Sequence, residues 1–359
     1  MYDTIVVGAG ISGLMTALRI SEKGYKTLIL EKTKELSAPH HGAEAMSCKE
    51  FGTLDIIKDS IVRKFNRMEN ISPNRTPITF YGGKHIVVKR PKLEKCLLEE
   101  VLSNNVDIKF SESFKGIKNS RILTGKNDYE ANIVVGADGA VSTVRRFLGI
   151  KKPEKIIKCF QYHLIPPEDY DLETHREILS NEFCKGLCVW ITPTEESVWL
   201  GLGTLEGNPK EKMHSFEVTK DFIEKSKILS NKFGFIPYGY SESFVSDNVT
   251  LVGDAAGCVN PISGGGLRRA AHSAELASKY IIETLETSSN CLKNYQIEWE
   301  SIYKKDFDRK IELKDRYMRL FDSQINSGFE QIISNEIDVG STEEIMKIIL
   351  QLENQKRER

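Results

Sequence analysis

Three glycines and one carboxylate near the amino terminus have the types and spacing that nucleotide binding requires. The segment Gly8-Ala9-Gly10-Ile11-Ser12-Gly13 follows the apolar run Thr4-Ile5-Val6-Val7. In such a motif the first glycine allows a tight turn, the second lets the backbone approach a pyrophosphate, and the third lets a helix pack close to the sheet. The sequence therefore predicts a strand, a phosphate-binding turn and a helix from about Ser12 to Lys23, ended by Gly24.

Glu31 supplies the carboxylate at the end of the next apolar run, Thr27-Leu28-Ile29-Leu30. It lies about 20 residues beyond the glycines, where a carboxylate can accept hydrogen bonds from ribose hydroxyls. The same charge disfavours a 2′-phosphate. The site is therefore predicted to suit FAD or NAD better than NADP.

Two later segments repeat the arrangement of a strand that stops at a small-residue turn with one aspartate. The first runs from Ile133 to Ala140 and contains Asp138. The second runs from Val249 to Gly257 and contains Asp254, with Pro261 and the glycines 264–266 beyond it. Such turns can put a carboxylate beside a sugar. Asp254 is predicted to bind ribityl or ribose hydroxyls, and the glycine run opens a predicted helix from Leu267 to Tyr280 whose N–H groups can face a flavin. For the earlier segment a purely structural turn remains an alternative.

Taken in order, GAGISG, GADGAVSTVRR and GDAAGCVNPISGGG resemble the FAD-dependent proteins that include aromatic hydroxylases and geranylgeranyl reductases. The third motif and the segment Ser37–Ala45 are similar to the reductases in particular. The resemblance covers about residues 1 to 285 and implies FAD as the cofactor. Together with the glycine motif, it gives this set of predicted FAD contacts: Gly8, Gly10, Ser12, Gly13, Glu31, Gly42, Ala43, Ala45, Arg90, Phe114, Asp254, Gly266 and Leu267.

The chain also departs from that family. Gly42 stands where the family usually has cysteine, so a mechanism that needs this thiol is in doubt. The family's Y-x-W-x-F-P segment is matched only in part by residues 188–193, which leaves Trp190 and Pro193 as the predicted substrate contacts. No catalytic residue is assigned, although His41 and Glu44 are candidates for a proton role.

The resemblance implies an oxidoreductase acting on CH–CH groups, which saturates C=C bonds of geranylgeranyl chains in a membrane lipid or a prenyl diphosphate. An isolated alkene accepts hydride poorly, so protonation must assist the transfer in a dry, apolar site. An FAD-dependent aromatic monooxygenase and a non-catalytic prenyl-binding protein are the alternatives. The electron donor is left open between NADPH and a ferredoxin, because no second glycine-rich dinucleotide motif occurs.

Composition limits the remaining possibilities. The chain has 359 residues, 40% of them hydrophobic, and a net charge of −1, which gives no electrostatic basis for nucleic-acid binding. The seven scattered cysteines are typical of a reducing compartment, and no metal site is expected. We see no leader before the first strand and no run of about 18 apolar residues. The expectation is a cytoplasmic protein, with attachment to a membrane surface left open.

The predicted fold class is α/β, with a discontinuous Rossmann-like FAD-binding domain, an inserted antiparallel sheet and a carboxy-terminal helical appendage with a solvated face. The FAD-binding domain comprises residues 1–75, 91–150 and 247–285, the substrate domain 76–90 and 151–246, and the appendage 286–359. A mobile polar stretch is predicted up to about residue 75, and a hairpin around Gly82-Gly83. Further strands are predicted over Leu187–Thr192 and Ser197–Leu202.

Overall fold

Two sheets and a set of carboxy-terminal helices make up the computed structural model, which describes residues 1–36, 45–47, 55–118, 121–151, 153 and 155–357. Its strands are β1 (Tyr2–Val7), β2 (Thr27–Glu31), β3 (Ala45–Ser47), β4 (Ile61–Ile71), β5 (Pro77–Val88), β6 (Asp107–Phe110), β7 (Phe114–Lys118), β8 (Arg121–Thr124), β9 (Asp128–Gly136), β10 (Lys155–Ile165), β11 (Thr174–Ile178), β12 (Val189–Pro193), β13 (Val198–Thr204), β14 (Lys227–Tyr238), β15 (Val245–Ser246) and β16 (Val249–Leu251).

The helices lie between the strands and after them. They are α1 (Ile11–Ser21), α2 (Arg90–Ser103), α3 (Thr143–Phe147), α4 (Pro209–Ser215), α5 (Glu217–Glu224), α6 (Leu267–Thr287), α7 (Leu292–Trp299), α8 (Lys305–Tyr317), α9 (Asp322–Ser334) and α10 (Thr342–Arg357). Short 3₁₀ segments cover Asp55–Ser60 and Gly253–Ala255, and a π-helical stretch, Glu300–Lys304, joins α7 to α8. Within the described residues, no helix is long and apolar enough to cross a bilayer.

The first sheet has the strand order β15-β16-β9-β1-β2-β6, and its central strands are parallel. These strands are nearly continuous apolar runs because helices cover both faces of a parallel sheet. The pairing register places Val7, Leu30, Gly136 and Leu251 in one row across four strands. The carboxyl ends of β1, β2, β9 and β16 therefore meet at one edge, where ligands bind in open α/β sheets.

Helix α1 leaves that edge directly after the glycine motif. It ends at Ser21, and Gly24 adopts the left-handed conformation (φ +83°) expected of a helix-terminating glycine. Helices α1 and α6 pack against each other, and Ser278 of α6 donates a hydrogen bond to the carbonyl of Thr16 (3.4 Å). This contact fixes the first and third glycine-rich segments side by side.

The second sheet has the order β14-β10-β13-β12-β11-β4-β5-β3 and is antiparallel except between β11 and β4. The strands predicted over residues 187–192 and 197–202 are confirmed as β12 and β13, which pair with each other. One face of the sheet shares a core with helices α4 and α5. The opposite face, called the inner face below, packs on Val259 and Ile262 of the third glycine-rich segment and on α8, α9 and α10.

Two local predictions are wrong. Residues 61–71, expected to be mobile, form strand β4, and residues 77–88 form the single strand β5 instead of a hairpin. Phe65 pairs with His85 and Arg67 with Tyr81, so Gly82, Gly83 and Lys84 stand opposite one residue of β4. The glycine pair thus accommodates a bulge within a strand, where its conformational freedom serves as well as in a turn.

The domain boundaries stay a prediction, although the sheet pairing bears on them. Strands β3 and β4 each pair with β5 in the second sheet. The chain therefore passes from the first sheet to the second before residue 75, where the predicted boundary falls. The predicted carboxy-terminal helices are confirmed, but one side of them is fully packed. Ile325, Phe329 and Ile349 are buried in the core that they share with the inner face.

Candidate functional site

The three glycine-rich segments meet at the carboxyl edge of the first sheet, where the backbone is so close that side chains are excluded. A Cβ on Gly8, whose φ is +108°, would lie 2.5 Å from the carbonyl oxygen of Ala137, and one on Gly13 would lie 2.0 Å from the carbonyl of Gly8. A Cβ on Gly253 would lie 2.6 Å from the Ser12 hydroxyl. The glycines predicted to be structural are therefore required by contacts between the segments.

Gly10 is different, because no atom of the described residues lies within 4 Å of the position its Cβ would take. It precedes the first turn of α1, which has neither a side-chain cap nor an acidic residue. Uncapped N–H groups at a helix start, beside a glycine that faces open space, form a cradle for an anion. A pyrophosphate fits this chemistry.

Glu31 lies beside this cradle and is 8% exposed. Its carboxylate accepts hydrogen bonds from the backbone N–H of Ala9 (2.8 Å) and from the N–H and hydroxyl of Thr33 (2.8 and 2.9 Å). Both Thr33 donors reach Oε1, and Ala9 reaches Oε2, so the carboxylate is held in one orientation and Oε2 keeps acceptor capacity. Thr33 was missed by the sequence argument, although a hydroxyl two residues beyond the acid was the available signal.

Asp138 of the second segment serves a structural role. Its carboxylate accepts hydrogen bonds from the Ser142 hydroxyl (2.5 Å), the Thr143 N–H and hydroxyl (both 2.6 Å) and the Val144 N–H (3.1 Å). It therefore satisfies the first two N–H groups of α3, beside the N-cap residue Ser142. Of the two interpretations left open for this turn, the structure supports the structural one.

Arg145 joins the second and third segments. Its buried guanidinium donates to the carbonyl of Ala255 (2.6 Å) and to that of Ala140 (2.8 Å). The arginine pair after the second motif thus contains one residue that fixes the position of the turn holding Asp254.

The carboxylate of Asp254 differs from that of Asp138 in its hydrogen bonding. Burial raises the pKa of its carboxyl group, the nearby Arg90 guanidinium partly opposes that effect, and no hydrogen bond reaches the side chain from the part of the chain that the structure describes. A Cβ on Gly266 would lie 3.3 Å from its Oδ1. Gly266 precedes α6, whose first turn has no side-chain cap and no acid. A carboxylate without donors at an uncapped helix start fits a ligand that supplies hydroxyl groups.

Arg90 is the first residue of α2, next to Pro91. Its Nε is 3.2 Å from Oε1 of the buried Glu94. Burial raises the pKa of Glu94, and Arg90 opposes the rise. Arg90 is thus close enough to act electrostatically on two carboxyl groups, one of them Asp254.

The remaining predicted contacts are spread more widely. Ala45 begins β3 and pairs with Val87, and Leu267 is the first residue of α6. Phe114 is buried and makes an edge contact with Phe147, with ring centroids 5.7 Å apart. Gly42 and Ala43, with the proton candidates His41 and Glu44, lie outside the described residues.

Trp190 and Pro193, the predicted substrate contacts, both belong to β12. The Trp190 indole lies over Gly201 and donates a hydrogen bond from Nε1 to the buried Gln161 side chain (2.9 Å). Trp190 is buried in the core of the inner face, and Pro193 is also buried. Their role toward a substrate stays a prediction.

A buried polar cluster on the second sheet was missed from the sequence. His175 Nδ1 is hydrogen-bonded to the Thr192 hydroxyl (3.1 Å), and its Nε2 is 3.7 Å from the Glu177 carboxylate. Thr342 and Asn70 also donate to Glu177 (2.8 and 3.3 Å). Burial opposes ionisation, but these donors hold the pKa of Glu177 below its usual value. The alternation His175-x-Glu177 placed both side chains on one face, but no pattern identified that face as buried.

Two further contacts extend this polar environment. The Phe65 ring is stacked between His85 and His175, with centroids 5.5 and 5.6 Å away. Lys314 of α8 is 1% exposed and donates from Nζ to the carbonyl of Ile262, next to Pro261. Burial lowers the pKa of Lys314 to about 8. A lysine in a strongly charged helical stretch gave no sign that it would be buried.

Comparison with known proteins defines the class. A family model for an FAD binding domain matches residues 1–177, which include the glycine motif, Glu31 and the second segment. A geranylgeranyl bacteriochlorophyll reductase-like protein from Thermoplasma acidophilum has the same fold, with a TM-score of 0.86, 24% identity and coverage of 97% of this chain and 95% of that one. The chain therefore has an FAD-binding domain and shares its fold with that protein.

Two curated relatives narrow the class. The digeranylgeranylglycerophospholipid reductase of Methanosarcina acetivorans is 30% identical, and the match covers 91% of this chain and 87% of the relative. That of Methanococcus vannielii is 27% identical, and the match covers 94% of this chain and 93% of the relative. The chain belongs to the digeranylgeranylglycerophospholipid reductase family. This membership supports the predicted reductase over the monooxygenase.

Proposed function

We propose that the chain uses FAD to saturate C=C bonds in the geranylgeranyl chains of a membrane lipid. The observation that carries the proposal is the Asp254 carboxylate, which accepts no hydrogen bond from the described residues and lies next to Gly266 at the uncapped start of α6. It gives this chain the acceptor and donor groups that a flavin nucleotide needs. The substrate class comes from the relatives, which are named as reductases of a digeranylgeranylglycerophospholipid.

The proposed FAD contacts follow from the groups available at the edge of the first sheet. The start of α1, with Gly8, Gly10, Ser12 and Gly13, binds the pyrophosphate, and Glu31 accepts hydrogen bonds from the ribose. Asp254 accepts hydrogen bonds from sugar or ribityl hydroxyls. Arg90 supplies positive charge near the same space, and the Gly266–Leu267 start of α6 presents its N–H groups to the flavin.

Reduced FAD, when bound, supplies the hydride for such a reduction. The chain must exclude water and hold the prenyl group. The inner face of the second sheet suits that task, because Phe80, Trp190, Ile236 and Tyr238 are buried together there with Ile262 of the third segment. His41 and Glu44 remain the proposed proton candidates. The electron donor is proposed to be NADPH or a ferredoxin.

The test is an anaerobic turnover experiment with purified holoenzyme. The flavin is reduced with dithionite, detergent-solubilised digeranylgeranylglycerophospholipid is added, and the lipid is analysed by mass spectrometry. The proposal predicts a gain of two hydrogens for each double bond and coupled reoxidation of the flavin. Unchanged lipid would contradict it.

A parallel assay tests the monooxygenase alternative. Aerobic NADPH consumption is followed with and without phenolic compounds, and the reductase proposal predicts no acceleration. Hydroxylated phenol together with unchanged lipid would establish the alternative instead.

A further inference from the structure

Strand β14 exposes an unusual amount of apolar side chain at the free edge of the second sheet. Ile228, Leu229, Phe233 and Phe235 are each 46–47% exposed, and Ile165 at the end of the neighbouring strand β10 is 41% exposed. These five side chains are called the edge patch. They lie within two adjacent strands. Ile228, Phe233 and Phe235 lie on the face of the sheet that carries α4 and α5, and Ile165 lies on the opposite face. Exposed apolar side chains clustered at a sheet edge are a feature of interaction sites.

The edge patch is built on a packed base. Phe233 contacts the buried Phe160, with ring centroids 4.9 Å apart, and Phe160 in turn contacts Tyr162. The exposed rings are therefore held outward on a rigid sheet. A long apolar strand at a sheet edge also invites unwanted pairing unless something covers it.

Lysines are the charged residues on the two strands that carry the edge patch, whereas Glu195 and Glu196 line a groove beside it. Strands β14 and β10 together contain Lys155, Lys158, Lys227 and Lys232 and no aspartate or glutamate, although the whole chain has nearly equal numbers of acidic and basic residues. Lys225, just before β14, is exposed, as are Lys158 and Lys227. Apolar side chains flanked by lysines match the interface of an anionic bilayer, where the chains enter the acyl boundary and the ammonium groups meet lipid headgroups.

Two residues of the edge patch, Ile165 and Leu229, border this groove. The groove is open, with a volume of about 930 Å³, and is lined by Val62, Ile165 and Leu229 together with polar residues that include Arg63 and Glu195. The groove lies at the end of the second sheet where β4 begins, and Ser60 just before β4 accepts a hydrogen bond from the N–H of Lys89 (2.8 Å). Arg90 follows directly, and it acts electrostatically on Asp254. The groove that borders Ile165 and Leu229 thus extends to the beginning of β4, next to the start of α2.

We propose that the edge patch docks the protein on an anionic lipid bilayer. The proposal deepens the proposed function, on which it rests for the lipid nature of the substrate, by naming the surface through which the enzyme meets that lipid. Ile228, Phe233 and Phe235 enter the interface, and Lys225 and Lys227 contact the headgroups.

The experiment is vesicle flotation of the holoenzyme. Vesicles of phosphatidylcholine alone are compared with vesicles containing phosphatidylglycerol, at low and high salt. The test variant combines Ile228→Asp with Phe235→Asp. The matched control combines Phe321→Asp with Ile333→Asp, which changes two exposed apolar side chains in the region of α9. FAD content and melting temperature are measured to establish that both variants are folded.

The wild type and the control are expected to float with the anionic vesicles and to be released by salt. The test variant is expected to bind at least about 10-fold more weakly. The proposal would be overturned if the wild type did not bind anionic vesicles, or if the test variant bound them as well as the wild type does. A test variant that changes only from dimer to monomer in gel filtration would also overturn it, because the patch would then join two copies of the chain.

Turnover separates this proposal from the proposed function. The test variant should reduce detergent-solubilised lipid at the wild-type rate and reduce vesicle-embedded lipid more slowly. Equal losses in both assays would overturn the docking role. If the wild type fails to reduce even the solubilised lipid, the proposed function is wrong, and flotation still decides whether the edge patch binds a bilayer.

Discussion

The turns after β9 and β16 have similar sequences and opposite hydrogen bonding. Both follow buried strands that are neighbours in the first sheet, and both contain one aspartate among small residues. Asp138 accepts four hydrogen bonds from the residues after it. Asp254 accepts none from the described chain.

The residues that follow each aspartate explain the difference. Ser142 and Thr143 come soon after Asp138 and provide hydroxyl and N–H donors at the start of α3. Ala255, Ala256 and Gly257 follow Asp254 and have no side-chain donor. A strand–glycine–aspartate pattern therefore locates a carboxylate, whereas the residues just beyond it decide whether that carboxylate remains available to a ligand.

The largest predicted effect is on the free energy of unfolding when a glycine of either turn is replaced by alanine. The loss should be larger for the turn after β16 than for the turn after β9. Gly139→Ala places a Cβ in open space at φ +82°, which costs about 1 kcal/mol of left-handed strain. Gly253→Ala adds a close contact with Ser12 to similar strain, so its free energy of unfolding should fall by about 2–4 kcal/mol. Denaturant unfolding of the apoproteins measures both values. Equal losses would show that the third turn can move away from α1.

The second-largest predicted effect is on the affinity for FAD, which should depend on Asp254 and not on Asp138. Asp254→Ala removes the proposed acceptor for FAD hydroxyls, a charge-assisted contact of about 1.5–3 kcal/mol, so FAD affinity should fall about 10- to 150-fold. The free energy of unfolding of the apoprotein should not fall, because the lost carboxylate has no described donor. Titration of each apoprotein with FAD measures the affinity, with Asp138→Ala as the matched control. An unchanged dissociation constant for Asp254→Ala would remove this residue from the site.

Asp138→Ala should show the reverse behaviour. It removes the acceptor for the first N–H groups of α3 but leaves the N-cap Ser142, so the free energy of unfolding should fall by about 0.5–2 kcal/mol while FAD affinity is retained. Unfolding and FAD titration on the same preparation test this. Loss of FAD affinity without loss of stability would mean that the two turns had been assigned in the wrong order.

The smallest effect concerns pH. Because burial raises the pKa of Asp254, the folded apoprotein keeps a proton there at pH values where the unfolded chain has lost it. The contribution of this group to stability therefore falls as pH rises from 3.8 through the raised pKa. Asp254→Asn lacks this penalty, so its stability relative to wild type should increase from acidic to neutral pH. A difference that does not vary with pH would contradict the assigned environment.

Sequence was most informative where backbone geometry restricts residue type. The strands around Val6, Val135 and Leu251 could be predicted because they are apolar runs. The glycines of the turns could be predicted because a Cβ there would clash with the neighbouring segment. The role of Asp138 could not be fixed, since capping and ligand binding use the same residue type. Tertiary contacts also decided that Gly82 lies in a bulge and that Lys314 is buried against Ile262, and neither contact leaves a local pattern.

The most direct test of the account is an experimental structure of the protein with FAD bound. We expect a hydroxyl group of FAD within hydrogen-bonding distance of the Asp254 carboxylate, and Asp138 still bound to the N–H of Thr143. An FAD molecule that contacts Asp138 and leaves Asp254 without a partner would contradict the central claim.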